Sequence, residues 1–237
     1  MVNSSVEITT ILYATAGGIL PALFWLWFWI REDRANPEPR GYLFRAFLGG
    51  MLVVIPVYFL EKWVFAYFGE MNSSTVFSWA VIEEMAKYLV AGILVLRSSP
   101  YDEPIDAPIY LLTTALGFAA LENTLFILNP LINGLVFDSL VTGNMRFVGA
   151  SLVHVVCSAI LGYFIGRQFY RSRIRKMWGR TVGFFWAIAL HTLFNMFIIY
   201  ENGSKTFIVF ACVWLSAMVV LLLFERIKKV RPEVKAE

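Results

Sequence analysis

Residues 107–128 read APIYLLTTALGFAALENTLFIL, a run whose only charged side chain is Glu122. A helix of that length rises about 33 Å, and the hydrocarbon core of a bilayer is about 30 Å thick. The run therefore reads as a transmembrane helix that carries a carboxylate and an amide, Glu122 and Asn123, within it. Six further apolar blocks flank it, at about 8–30, 44–68, 75–97, 144–168, 181–200 and 206–226. Between the first two, the stretch from Arg31 to Arg40 is a polar turn in which Pro37 and Pro39 forbid a continuous helix. The chain has 237 residues, 59% of them hydrophobic and 16% charged, with a mean hydropathy of +0.67. Soluble domains carry roughly a quarter charged residues, so composition excludes a disordered chain, a nucleic-acid module and an ordinary soluble enzyme. Cys157 and Cys212 both lie inside apolar blocks, so neither a disulfide framework nor zinc-finger spacing is present. The expected fold is all-α: a polytopic bundle of about seven transmembrane helices, forming one integral membrane domain over 1–237.

Charge sets the expected orientation. The first block lacks a basic leader and a small-residue cleavage site, and reads as a retained helix. One side of the membrane collects Arg31, Arg34, Arg40, Arg45, Arg97, Arg167, Arg171, Arg173, Arg175, Lys176 and Arg180. The tail adds Arg226, Lys228, Lys229, Arg231 and Lys235. The other side has Arg146 and Lys205, while Lys62 and Lys87 lie inside spans. These are all twenty lysines and arginines of the chain, sixteen of them on one side. By the positive-inside rule the N-terminus is outside and the C-terminus cytoplasmic. The expected location is a prokaryotic cell membrane.

Charged side chains in mid-membrane cost about 2.5–3.5 kcal/mol each on insertion scales and default to a functional reading. The spans hold Glu61, Glu83, Glu84, Lys87, Glu122, His154 and His191, and these two are the only histidines of the chain. With alternating span directions, Glu83/Glu84, Glu122, His154 and His191 fall within a band of roughly 6 Å in depth. Small residues accompany them at four-residue spacing: Ala150, Ser158 and Gly162 around His154, and Gly183, Ala187 and Asn195 around His191. Residues four apart share a helix face, and small residues mark where membrane helices touch. The ionisable groups are thus expected to point into the bundle.

Three chemistries use carboxylates and imidazoles at one depth. A glutamate can take a proton from water while a histidine or asparagine stabilises an oxyanion. Two histidines and one or two glutamates can hold a metal with an open position; the candidates are Glu83, Glu122, His154 and His191, with zinc as the metal. An acid–imidazole chain can also relay protons or ions in a transporter. Spacing leaves all three open.

The ordered motifs narrow the choice. Glu83-Glu84-Met85-Ala86-Lys87 has the form EExxK, Phe118 to Asn123 the form FxxxEN, and His191 to Asn195 the form HxxxN, with His154 between them. Over about 75–200 this set resembles the PrsW family of intramembrane proteases, which is related to the CAAX-processing endopeptidases and to a subunit of γ-secretase. The resemblance implies hydrolysis of a peptide bond in a membrane-anchored protein such as an anti-sigma factor. It also implies Glu83 and Glu84 as the source of a general base, with His191 and Asn195 holding water and stabilising the oxyanion. Where the CAAX-processing relatives have a histidine this chain has Glu122, and His154 would take the missing imidazole's role. The expected catalytic set is Glu83, Glu84, Glu122, His154, His191 and Asn195, supported by Lys87, Asn123 and Phe118. The expected partners are a membrane-anchored protein and the lipid bilayer, with no nucleic acid. The alternative is a transporter or a non-catalytic scaffold using the same polar core.

The remaining polar residues have plainer expectations. Lys87, one turn from Glu83, reads as its ion-pair partner. Asn123 reads as a hydrogen bonder beside Glu122. Glu61 and Lys62 are expected to reach toward headgroups, and Arg146 to anchor at the outer edge. Gly162 and Gly166 form a GxxxG pattern expected to pack within the bundle. HExxH is absent, and so are an intramembrane aspartate pair and a rhomboid-type serine motif.

Overall fold

The computed structural model describes residues 7–200 and 206–232. Lys205 and Lys235, counted in the charge asymmetry, lie outside the described residues. Among the described residues the regular structure is entirely helical. Helix α1 spans Ile8–Trp29 and continues into a 3-10 turn at Ile30–Asp33; α2 spans Arg40–Phe68, α3 Ser73–Leu94 and α4 Asp106–Ile132. Helix α5, Val136–Met145, runs through a π turn at Arg146–Ala150 into α6, Ser151–Gly166; α7 is Arg173–Tyr200 and α8 Thr206–Ile227.

Six apolar stretches are long enough to cross a membrane, with α5, the π turn and α6 counting as one. Helix α3, at 22 residues, matches them in length and is set apart by Glu83, Glu84 and Lys87. The seven expected spans are therefore all present as helices. Three begin earlier than hydropathy placed them. The fifth starts at Val136 and not near 144, because Asn133 and Gly134 close the preceding turn within a few residues, with Gly134 at φ 76°. Helix α7 starts at Arg173, so the basic run to Arg180 is helix and not loop. Helix α2 takes its first residues from the polar turn at Arg40.

Helix α4 is the axis of the bundle, packing against α1, α2, α3, α5 and α6. Its first fifteen residues, Asp106 to Ala120, are all buried. Small side chains make this possible. A Cβ on Gly50 of α2 would lie 1.9 Å from the Thr114 carbonyl oxygen, and one on Gly117 would lie 1.9 Å from that of Phe47. The two backbones touch reciprocally, the close approach that glycine permits between membrane helices. Gly162 likewise meets Pro108 of α4, and Gly166 meets the Pro104 carbonyl and Ile227. The GxxxG pattern is thus used inside the bundle, as expected. The outer surface carries Leu52, Phe59 and Trp63 of α2 and Phe207, Leu215 and Leu222 of α8, all exposed. An apolar surface so extensive is suited to lipid.

Candidate active site

Four helices deliver the ionisable residues to one place. Asn72 caps α3, its side chain accepting from the Thr75 amide at 2.9 Å, and fixes where that helix begins. Eleven to fifteen residues on, Glu83, Glu84 and Lys87 are buried on the face that packs against α2, α4 and α7. Helix α4 brings Phe118, Glu122 and Asn123, α6 brings His154 and α7 brings His191. Glu83, Glu84, Lys87, Asn123, His154 and His191 are all buried.

The two imidazoles are held in a matching way. His154 Nε2 donates to Glu122 Oε2 at 3.0 Å, and His191 Nδ1 donates to Glu84 Oε1 at 2.8 Å. A carboxylate can only accept, so these bonds fix each tautomer and leave a lone pair on the opposite nitrogen. Those nitrogens, His154 Nδ1 and His191 Nε2, each lie 3.8 Å from Glu83 Oε2. Glu83 Oε2 is buried and has no hydrogen-bond partner among the described residues. The rings meet edge to face at 5.1 Å between centroids, and Phe118 walls the His154 ring at 5.5 Å.

Lys87 joins the two halves. Its Nζ donates to Glu84 Oε1 at 2.5 Å and to His154 Nδ1 at 3.1 Å, and lies 4.0 Å from Glu83. The expected ion pair with Glu83 is present at 4.0 Å, and the i,i+3 carboxylate, Glu84, is the closer partner. Arg146 also departs from expectation. Instead of anchoring at the membrane edge, its guanidinium pairs with Glu122 and donates to Asn123 Oδ1 at 2.5 Å. Asn123 in turn donates to Ser151 Oγ at 2.9 Å, so its expected role beside Glu122 holds. The π turn that begins at Arg146 placed this residue beyond the reach of hydropathy, although its position eight residues before His154 on a four-residue repeat was a signal. Glu61 likewise does not extend to headgroups. It is partly buried and faces Glu83 and Glu122. Asn195 sits one turn beyond His191 on α7, partly buried.

A membrane-embedded helical bundle with a partnerless glutamate oxygen facing two oriented imidazoles has the donor set of a hydrolase that activates water. Comparison with known proteins agrees. The family model described as PrsW family intramembrane metalloprotease matches residues 38–224, and the chain belongs to that family. It is 28% identical over 211 residues to Protease PrsW of Oceanobacillus iheyensis, covering 86% of this chain and 92% of the relative. It is 29% identical to Protease PrsW of Geobacillus kaustophilus, covering 68% and 69%, and 27% identical to that of Bacillus subtilis, covering 69% and 72%. No solved structure matches. The chain is a multi-pass intramembrane protease, acting on protein within a lipid bilayer, and the transporter and scaffold readings give way.

The family's metal can be tested against these residues. Glu83, His154 and His191 offer one ligand atom each, all within 4.8 Å of one another. Ligands on a tetrahedral zinc at about 2.0–2.1 Å stand roughly 3.4 Å apart, near the 3.8 Å that separates Glu83 Oε2 from either imidazole nitrogen. The partnerless oxygen and the two carboxylate-oriented imidazoles suit a metal ligand set, with Lys87 giving up His154 Nδ1 to the ion. The residues fit. Glu122, expected among the ligand candidates, falls outside this group and holds His154 from behind.

Proposed function

We propose that this protein hydrolyses a peptide bond in a single-span, membrane-anchored substrate of the anti-sigma-factor type. The observation that carries the reading is Glu83 Oε2, buried, without a hydrogen-bond partner among the described residues, and 3.8 Å from both His191 Nε2 and His154 Nδ1, the latter also accepting from Lys87. In this reading Glu83, His154 and His191 would hold a zinc ion, which when bound would lower the pKa of water and polarise the substrate carbonyl. Glu84 and Glu122 orient the imidazoles by accepting their N–H groups. Glu84 is already engaged by Lys87 and His191, so Glu83 is the working carboxylate of the EExxK pair. Asn195 directs its amide toward the oxyanion of the attacked carbonyl. Glu61, beside Glu83, receives the proton that leaves water. Arg146 keeps Glu122 charged and placed. The chain forms one integral domain in a bacterial plasma membrane with its N-terminus outside, which puts the site in the outer half of the bilayer.

Purified protein in detergent, presented with a panel of single-span substrates, tests this directly. Stripping the metal with a chelator, verified by elemental analysis, is expected to abolish cleavage, and stoichiometric zinc is expected to restore it. Cleavage that persists at full rate in verified metal-free protein would remove the zinc and leave Glu83 as a metal-independent general base.

A further inference from the structure

A second group of carboxylates lies at the other end of α4. Asp33 closes the 3-10 turn after α1, Glu38 lies in the connection to α2, and Asp106 opens α4. Their exposures are 4%, 8% and 1%. One carboxylate oxygen from each lies within 4.8 Å of the others. Three buried carboxylates at that spacing repel one another and are held away from water, a cost that must be met by protons, paired cations or a metal.

The neighbours do not supply enough positive charge. Asp106 Oδ2 accepts the backbone amides of Asp102 and Glu103 at 2.9 and 2.6 Å. Glu38 accepts from the Tyr110 hydroxyl. Asp33 Oδ2 is buried with no hydrogen-bond partner among the described residues, although the Glu38 backbone amide acts on the same carboxylate. Lys228, whose charge reaches Asp33, is engaged by Glu32 at 2.9 Å and Glu225 at 2.6 Å. Glu103, also nearby, adds negative charge and is bonded by Asn36 at 2.5 Å.

We infer that Asp33, Glu38 and Asp106 form a binding site for a hard divalent cation of the calcium class, separate from the proteolytic centre. Carboxylate oxygens are the ligands such ions take, at about 2.3–2.6 Å, so oxygens sharing one ion stand no more than about 5 Å apart. The group meets that limit, and water completes the shell. Asp106 and Glu122 are sixteen residues apart on α4, about 24 Å along the helix, so this site does not share ligands with the histidine site. The ligand types also differ: an all-oxygen set selects calcium or magnesium, a histidine–glutamate set selects zinc. Bound there, the ion ties the α1–α2 connection to the head of the central helix. A proton on Glu38 is the competing way to relieve the repulsion. Burial first, then Asp106 and Asp33, push that carboxyl up to about 8, against the pull of the Tyr110 hydroxyl.

Thermal unfolding of the full-length protein in detergent, titrated with calcium or magnesium chloride at fixed ionic strength, tests the site. A saturable rise in Tm is expected, and the same rise in Glu83→Gln, whose histidine site is altered. Asp33→Asn and Glu38→Gln are each expected to weaken the response by about tenfold or more in cation concentration, because each removes one charged ligand. Terbium, a luminescent stand-in for calcium, is expected to light up when tyrosine is excited, through Tyr110, and to be displaced by calcium. No saturable response in the wild type would overturn the site and leave protonated carboxyls in its place. A response unchanged in both variants would overturn it equally, by placing the cation elsewhere.

Discussion

Glu83→Gln is expected to lower proteolysis by about 10³-fold or more, with helix content and membrane insertion unchanged. The substitution keeps the side chain's size and replaces one carboxylate oxygen by an amide. It removes the carboxylate oxygen that lies 3.8 Å from both imidazoles; as a zinc ligand its loss takes the activated water with it, and in the metal-independent reading loss of a general base alone costs about 10²–10⁴-fold. If Glu83 also holds zinc, bound metal falls with activity, which separates a ligand from a purely structural glutamate. His191→Ala is expected to give the same loss of cleavage and of zinc. The informative comparison is cleavage rate, zinc per mole and far-ultraviolet circular dichroism on one preparation of each variant. Normal turnover by Glu83→Gln would remove the assignment, because no other carboxylate of the site has a buried, unpartnered oxygen on those two nitrogens.

Gly117→Ala is expected to cost about 1–3 kcal/mol of stability or more, and to reduce activity with it. The added methyl would overlap the Phe47 carbonyl, with the Phe47 Cα at 2.9 Å. Those are backbone atoms, so no rotamer change relieves the clash and α2 must move off α4. Phe118, Glu122 and Asn123 would shift against α3 and α6, whose residues they contact. Gly92→Ala in α3 is the matched control, since nothing lies within 4 Å of its added methyl. There the helix propensity of alanine should give no loss or a slight gain. A Gly117→Ala protein that unfolds at the wild-type temperature would show that the two helices do not need that approach.

The spans and the polar set were legible because hydropathy, the four-residue repeat of small side chains and the ordered motifs are local signals. Glu83, Glu84, His154 and His191 could be placed at one depth from residue counts alone. What could not be read was the choice of partner. Glu83 and Glu84 are adjacent in sequence and differ by 100° around the helix, yet only a neighbouring helix decides which of them meets Lys87 and which faces the imidazoles. Arg146 escaped for a different reason: the helix begins ten residues ahead of it, and a π turn starts at it, so a span boundary drawn by hydropathy left it at the edge. Asp33, Glu38 and Asp106 were invisible as a group. Two lie in an ordinary charged turn and the third some seventy residues on, and nothing local says that they meet. The full burial of the first fifteen residues of α4 was likewise not stated by its own composition, since its alanines, glycine and threonines record close packing only once the partner helices are known.

One polar thread crosses the middle of the bundle: Arg146 to Glu122, His154, Lys87, Glu84 and finally His191. Its consequence falls on biogenesis. Glu84 and its last partner are 107 residues apart, and a ribosome adds about 5–20 residues per second. Helix α3 is therefore translated about 5–20 s before α7 can complete the chain of bonds. During that interval its three charged side chains need shelter from lipid, at the insertion machinery or in the company of α2. The nascent protein is most exposed to quality control in that window, and His191 is the residue whose arrival ends it.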